Sequence, residues 1–324
     1  MKLHPILLSS LAMAAFAAPS QATEAEFQAL LLSRQPIALE TLAREHLARD
    51  PLDEAALWYW GQQAADDPRS RTELLPRAQA CVRDRPQSAR CQHLLGVLIG
   101  VELMETGAFS AMRRIGEVRE LFERAVALAP NDYAMRRDLQ AFYLEVPALM
   151  GGSNRKAREQ AEAMARIDAP RGTLMQALLA ISDKDFDTAE QRLASVQTGA
   201  DRLLASDLQS VQIDLARALL GDGATARARA WFERLLLQDA NSPELHAGLG
   251  RTLLALKQPA AAVAAFERAL QLNPKLRIHH RLGAAYEAAG ENAKAITAYR
   301  RVLADPASSA AADKARARLK ELQP

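Results

Sequence analysis

The chain is predicted to be all-α: a superhelical solenoid of antiparallel helix pairs closed by a C-terminal capping helix. Three observations carry this. Apolar residues make up 49% of 324 residues, with only 5% aromatic residues and 15 glycines, and Ala and Leu supply most of the apolar content, which favours helices over strands. The C-terminal half repeats itself: Leu215-Ala216, Leu249-Gly250 and Leu282-Gly283 recur at 34 and then 33 residues, as do Ala228, Ala262 and Ala295, and Phe232, Phe266 and Tyr299. Prolines at Pro274 and Pro306 close successive units, because proline removes a backbone donor and clashes with the preceding turn. Small residues in register on two antiparallel helices let them approach closely, and the aromatic one turn beyond the second small residue fills the space left. An ordinary bundle needs apolar stripes but no such fixed period.

In chain order, residues 1–22 read as an export signal, with Lys2 ahead of an apolar stretch from Ile6 to Ala18 and a small-x-small site at Ser20-Gln21-Ala22. The stretch is too short to span a bilayer, so cleavage after about Ala22 and a periplasmic location are expected, with no membrane-spanning segment in the mature chain. Residues 23–204 form an irregular set of helical repeats. They comprise a helical segment up to Pro51, a unit beginning at Trp60-Gly61 and ending at Pro86, and one beginning at Leu95-Gly96 and ending through Phe122, Ala125 and Pro130. A further unit holds Lys184-Asp185-Phe186, Ala189 and Leu193. Residues 205–306 form three regular units, giving six helix pairs in all, and residues 307–324 form a terminal helix whose Lys314, Arg316, Arg318 and Lys320 suit a polar cap over the last pair.

Cys81 and Cys91 are the two cysteines. In an exported chain they read first as one disulfide across the Pro86 turn; a zinc site with His93 is the alternative and lacks a fourth ligand. The stretch Pro147-Ala148-Leu149-Met150-Gly151-Gly152-Ser153, followed by Arg155 and Lys156, is a candidate anion or ligand turn ahead of a helix. Its other reading is Ser153 capping the helix while the glycines turn the chain. Trp58 and Trp60 are either core residues or the lining of a pocket in the first repeats.

The C-terminal units resemble tetratricopeptide repeats, most closely over Pro243 to Pro274, where Leu249, Gly250, Leu253, Ala262, Phe266, Ala269 and Pro274 all match the family pattern. The resemblance implies a concave groove, lined by first-helix positions that packing leaves free, that binds a protein or peptide. In this sequence those positions hold Arg217, Arg251, Arg277, His280 and Arg281, with Glu244 and Glu287 as acidic exceptions, so a basic groove and an acidic partner are expected. Arg277 and Arg281, four residues apart on one helix face, are similar to the basic pair of carboxylate-clamp repeats, although Ile213, Arg217 and Gly248 depart from the rest of that clamp. The Pro-x-x-x-Gly-Gly turn resembles one in periplasmic repeat proteins that accompany TRAP-type transporters.

Other classes are disfavoured. A net charge of +2 is too small for general phosphate neutralisation on nucleic acid. His46, His93, His246, His279 and His280 sit in no metal-protease or nucleophile motif. No catalytic set, metal site or cofactor motif is read. The expected role is a non-enzymatic periplasmic scaffold, in envelope assembly or in delivering a partner to a membrane complex; the alternative is a small-ligand or transporter-associated binding protein with a pocket in the N-terminal repeats.

Overall fold

The computed structural model describes residues 21–105, 108–304 and 309–323. The export signal therefore lies almost wholly outside the described residues, as does Pro306. The described residues form eight helical hairpins and a terminal helix: α1 (Gln21–Leu32) with α2 (Pro36–Arg49), α3 (Glu54–Ala64) with α4 (Pro68–Asp84), α5 (Ala89–Glu105) with α6 (Ala108–Leu128), and α7 (Tyr133–Glu145) with α8 (Asn154–Ile167). Then follow α9 (Ala169–Ser182) with α10 (Phe186–Ser195), α11 (Arg202–Gly221) with α12 (Thr225–Gln238), α13 (Pro243–Ala255) with α14 (Pro259–Leu272), α15 (His279–Ala288) with α16 (Asn292–Leu303), and finally α17 (Ser309–Leu322). No strand occurs among them.

The sequence reading of six pairs after an N-terminal segment is thus corrected. That segment is itself the hairpin α1–α2, and α7–α8 is a hairpin that the reading passed over, because its turn is the irregular stretch around Gly151 rather than a short loop.

Helix starts are set by side chains. Asp53, Asp67, Asp132, Ser153, Asp168, Asp185, Asp201 and Ser242 each accept a hydrogen bond from a backbone N–H in the first turn that follows, satisfying donors the helix cannot. Six hairpin turns pass through one left-handed residue: Arg34, Gly151, Lys184, Gly223, Lys257 and Gly290. The last three are spaced as the repeat is.

Packing follows the small-and-large register. A Cβ built on Gly250 would come within 2.8 Å of the Phe266 ring, and one on Gly283 within 2.6 Å of Tyr299; both aromatic residues belong to the same hairpin as their glycine. Phe232 lies also against the next hairpin, since a Cβ on Gly248 would approach it to 2.3 Å. The interior divides into three successive apolar clusters along the solenoid, around Trp60 and Leu98, around Leu174 and Leu215, and around Phe266 and Ala285. Ala315 of α17 is buried in the last of these, with Leu319 and Leu322 packed against it, so α17 covers an apolar face that would otherwise be open.

First helices meet first helices (α1 with α3, α3 with α5, α7 with α9, α9 with α11, α11 with α13), whereas second helices meet chiefly the first helices flanking them. The odd-numbered helices therefore form the inner, concave wall. The superhelix curls far enough for its beginning to touch its sixth hairpin: Arg34 pairs with Asp239 and donates to Gln209 Oε1 at 2.5 Å. Among the described residues, no helix is long and apolar enough to cross a membrane.

Candidate binding groove

The inner wall changes character along its length. In its C-terminal half the packing residues Leu215, Ala216, Gly250, Leu282 and Gly283 are turned into the core, which leaves Arg217, Arg251, His280 and Arg281 on the open side. Their charges act on one another. Burial, followed by the charge of Arg217, depresses the Arg251 pKa, and burial with Arg251 and Arg217 depresses that of Arg281. Among the described residues no carboxylate acts on either group. Arg217 has Asp214 at 3.7 Å, long for a hydrogen-bonded ion pair.

His280 belongs to the same cluster. Its Nε2 accepts a hydrogen bond from Arg281 Nε at 3.2 Å; an arginine can only donate, so this nitrogen carries no proton. Burial, then Arg281, Lys314, Arg251 and Arg277, push the ring pKa down to about 4, the combination expected of a half-buried base among cations.

Arg277 is placed differently from expectation. Helix α15 begins only at His279, so Arg277 lies in the preceding loop, exposed, and no i,i+4 face joins it to Arg281. The physical reason is the chain entry: after Pro274 the backbone runs through a turn, and Ile278 is buried as an apolar anchor ahead of the helix. Arg277 still contributes positive potential at His280.

Towards the middle of the solenoid, outside the repeats from which a basic groove is expected, the wall has a different charge. There α7 contributes Asp138 and Glu145, and α11 contributes Asp207 and Asp214. Burial raises the pKa of Asp207 and of Asp214, and raises that of Glu145 with help from Asp214 and Asp138. Arg137 lies 3.2 Å from Asp138 and donates to Ser210 at 3.3 Å. Arg171 holds Asp168 at 2.8 Å, Asp207 at 2.9 Å and Asp201 at 3.4 Å. The wall is therefore mixed or acidic over α7–α11 and cationic over α11–α17. Sequence reasoning missed the acidic stretch because it followed only the regular repeats; Asp207 and Asp214, seven residues apart on one helix, share a face and were the available signal.

The other candidate residues resolve locally. In the Gly151-Gly152 turn the backbone donors are consumed within the chain: Gly151 donates to Ala148, Gly152 to Pro147 and Ser153 to Tyr143. Arg155 pairs with Glu159, and Lys156 with Glu123 at 3.0 Å. The anion-turn reading is thus corrected: Ser153 caps α8, Gly151 has φ of +107°, and Gly152 is required because a Cβ would meet the Val146 carbonyl. Trp60 is fully buried, and Trp58 donates to His93 Nδ1 at 3.3 Å, so these rings serve the first apolar cluster rather than a pocket.

Cys81 and Cys91 face each other across the α4–α5 turn, with Cα atoms 5.5 Å apart. His93 turns away from them, its Nε2 2.9 Å from Asp138. The alternative zinc set does not assemble.

The fold and its grooved inner wall define a helical-hairpin repeat protein of the kind that presents an extended surface. Tetratricopeptide-repeat family models match residues 243–276 and 278–309, so the chain carries tetratricopeptide repeats over α13–α16. Its structure is similar to that of yeast Tom70, with TM-score 0.61 and 13% identity, over 98% of this chain and 67% of that one. It is also similar to a crystal structure of the APC/C hetero-tetramer Cut9-Hcn1, with TM-score 0.51 and 16% identity, over 96% of this chain. The chain spans 57% of the length of that second protein. No curated protein matches by sequence.

Proposed function

We propose that this protein is a non-enzymatic interaction scaffold of the periplasm, whose concave groove holds an acidic segment of a protein partner over α11–α17. The observation that carries the reading is the convergence of Arg217, Arg251 and Arg281 on one wall, with no carboxylate among the described residues acting on the latter two. A protein gains nothing in stability from crowding like charges, and an arginine fork matches a carboxylate better than any other cation does. The envelope setting is supported by the apolar N-terminal stretch and by two cysteines within disulfide reach, and a role in envelope assembly fits that setting.

The test is direct. A fluorescein-labelled hexa-aspartate peptide should bind the wild type, weaken steeply as salt rises, and lose most of its affinity in a triple R217A/R251A/R281A variant of unchanged helicity. Equal binding by both proteins, or binding indifferent to salt, would reject the groove as the site. Intact-mass measurement of protein recovered from the periplasm should show cleavage after Ala22.

A further inference from the structure

Beside the cationic cluster lies a cavity of about 520 Å³ between α13, α15 and α17, within the range of about 300–1,000 Å³ typical of ligand pockets. It exists because of small residues in register. Where α11 and α13 carry Arg217 and Arg251, two positions past the packing leucine, α15 carries Ala284; Ala288 and Ala317 enlarge the same space. Leu254 and the Tyr299 ring complete an apolar lining. Its mouth is cationic through Arg281 and Lys314, with the neutral His280 ring beside them. On the remaining side Arg318 is paired with Glu287, so that carboxylate is spent and the net charge at the mouth stays positive.

An apolar hollow rimmed by cations calls for an occupant with the opposite arrangement. We propose that the partner segment carries a large apolar side chain directly beside its carboxylates, and that this side chain seats in the α13–α15–α17 cavity while the carboxylates meet Arg251 and Arg281. This rests on the groove reading and adds its specificity: a purely acidic segment would bind by charge alone, weakly and without register, whereas the cavity fixes one residue. It also assigns α17 a second role, since the helix that closes the core supplies one wall of the hollow.

The experiment uses three labelled peptides: one with a phenylalanine flanked by aspartates, the same with serine for phenylalanine, and one with phenylalanine flanked by serines. The full-length protein is compared with two cavity-filling variants, A317W and A288W. Both positions are exposed, so the fold survives, and two walls are tested independently. The phenylalanine-aspartate peptide should bind the wild type at least about tenfold more tightly than the serine-aspartate peptide, as expected for a filled apolar pocket. Both variants should erase that advantage while leaving serine-aspartate binding unchanged.

Equal binding of the two acidic peptides to the wild type, both salt-sensitive, would overturn the cavity proposal and leave the groove reading standing. Equal binding of the two phenylalanine peptides would overturn the groove reading itself. An advantage that persists in both variants would place the apolar contact elsewhere and reject this cavity. Binding of a small amphiphile such as decanoate, with no discrimination among the peptides, would reject a peptide as the occupant.

Discussion

Two arginines on the inner wall make opposite predictions about stability, and comparing them separates a binding surface from a structural ion network. Arg171 has a side chain only 16% exposed and holds three carboxylates. Its replacement by alanine leaves Asp207 half-buried with its nearest cation gone. Breaking a fully buried pair costs about 3–5 kcal/mol, and partial exposure reduces this, so a loss of about 2–3 kcal/mol is expected. Arg251 is desolvated by its surroundings and repelled by Arg217. Like charges roughly 10 Å apart repel by about 1.5 kcal/mol at an effective dielectric constant near 20, and physiological salt screens much of that. R251Q should therefore raise stability by about 0.5–1 kcal/mol, less as salt increases, while weakening binding of the aspartate peptide. The assay is urea unfolding followed by circular dichroism at low and high salt, with midpoints compared because a long repeat array need not unfold in two states. If R251Q lowers the midpoint as far as R171A does, Arg251 has a structural partner and the cationic cluster is not held ready for a ligand.

Further outcomes are expected at single sites. Lys257 occupies the left-handed turn position with φ of 58°, so K257G should stabilise the α13–α14 hairpin by about 0.5–1 kcal/mol, read as a raised urea midpoint; a fall would mean that the Lys257 side chain makes a compensating contact. G250A should destabilise by about 1–3 kcal/mol, because its Cβ needs the space of the Phe266 ring, and a neutral result in the same assay would show that the ring is free to give way. With the His280 pKa held at about 4, the unfolded chain takes up this proton first, so its contribution to stability is present above about pH 6.5 and lost as pH falls towards 4. Histidine NMR should follow that titration, and a bound acidic peptide should move it upward; an unmoved midpoint would put the ligand away from His280. Alkylation of the unreduced, denatured protein should find no free thiol at Cys81 or Cys91, and two labelled cysteines would refute the disulfide.

How much of this was legible in the sequence depends on which forces write themselves into a period. Leu249, Gly250, Ala262 and Phe266 recur because each hairpin buries the same contact, so the architecture and the register of α11–α16 could be read by counting. The α7–α8 hairpin could not, because its turn is built from internal hydrogen bonds and a Gly152 pressed against the Val146 carbonyl, neither of which has a periodic signature. Arg277 was misplaced for a related reason: its spacing from Arg281 suited a helix, but burial of Ile278 delays the start of α15 by enough to leave Arg277 outside it. The acidic stretch over α7–α11 depends on side chains from two hairpins that are not neighbours in sequence, Asp138 and Glu145 on α7 and Asp214 on α11, meeting across the superhelix. Contacts of that kind have no fixed separation in sequence.

The same reasoning explains why the C-terminal end of the groove is the part to test first. Over α7–α11 the arginines are engaged: Arg171 with Asp168 and Asp207, and Arg137 with Asp138. A ligand there would have to displace existing ion pairs, and the gain from new contacts would be offset by the loss of old ones. Over α13–α17 the arginines repel one another, so a carboxylate arriving there relieves repulsion as well as forming its own hydrogen bonds. Its net benefit is larger for the same number of contacts. Glu287, the nearest intrinsic competitor, is occupied by Arg318 and the Tyr299 hydroxyl, which donates to it at 3.0 Å. R318A should release Glu287 towards Arg281 and weaken binding of the aspartate peptide although Arg318 itself is a cation. Tighter binding in R318A would mean that Arg318 repels the ligand or blocks the cavity, and that Glu287 does not compete for the cluster.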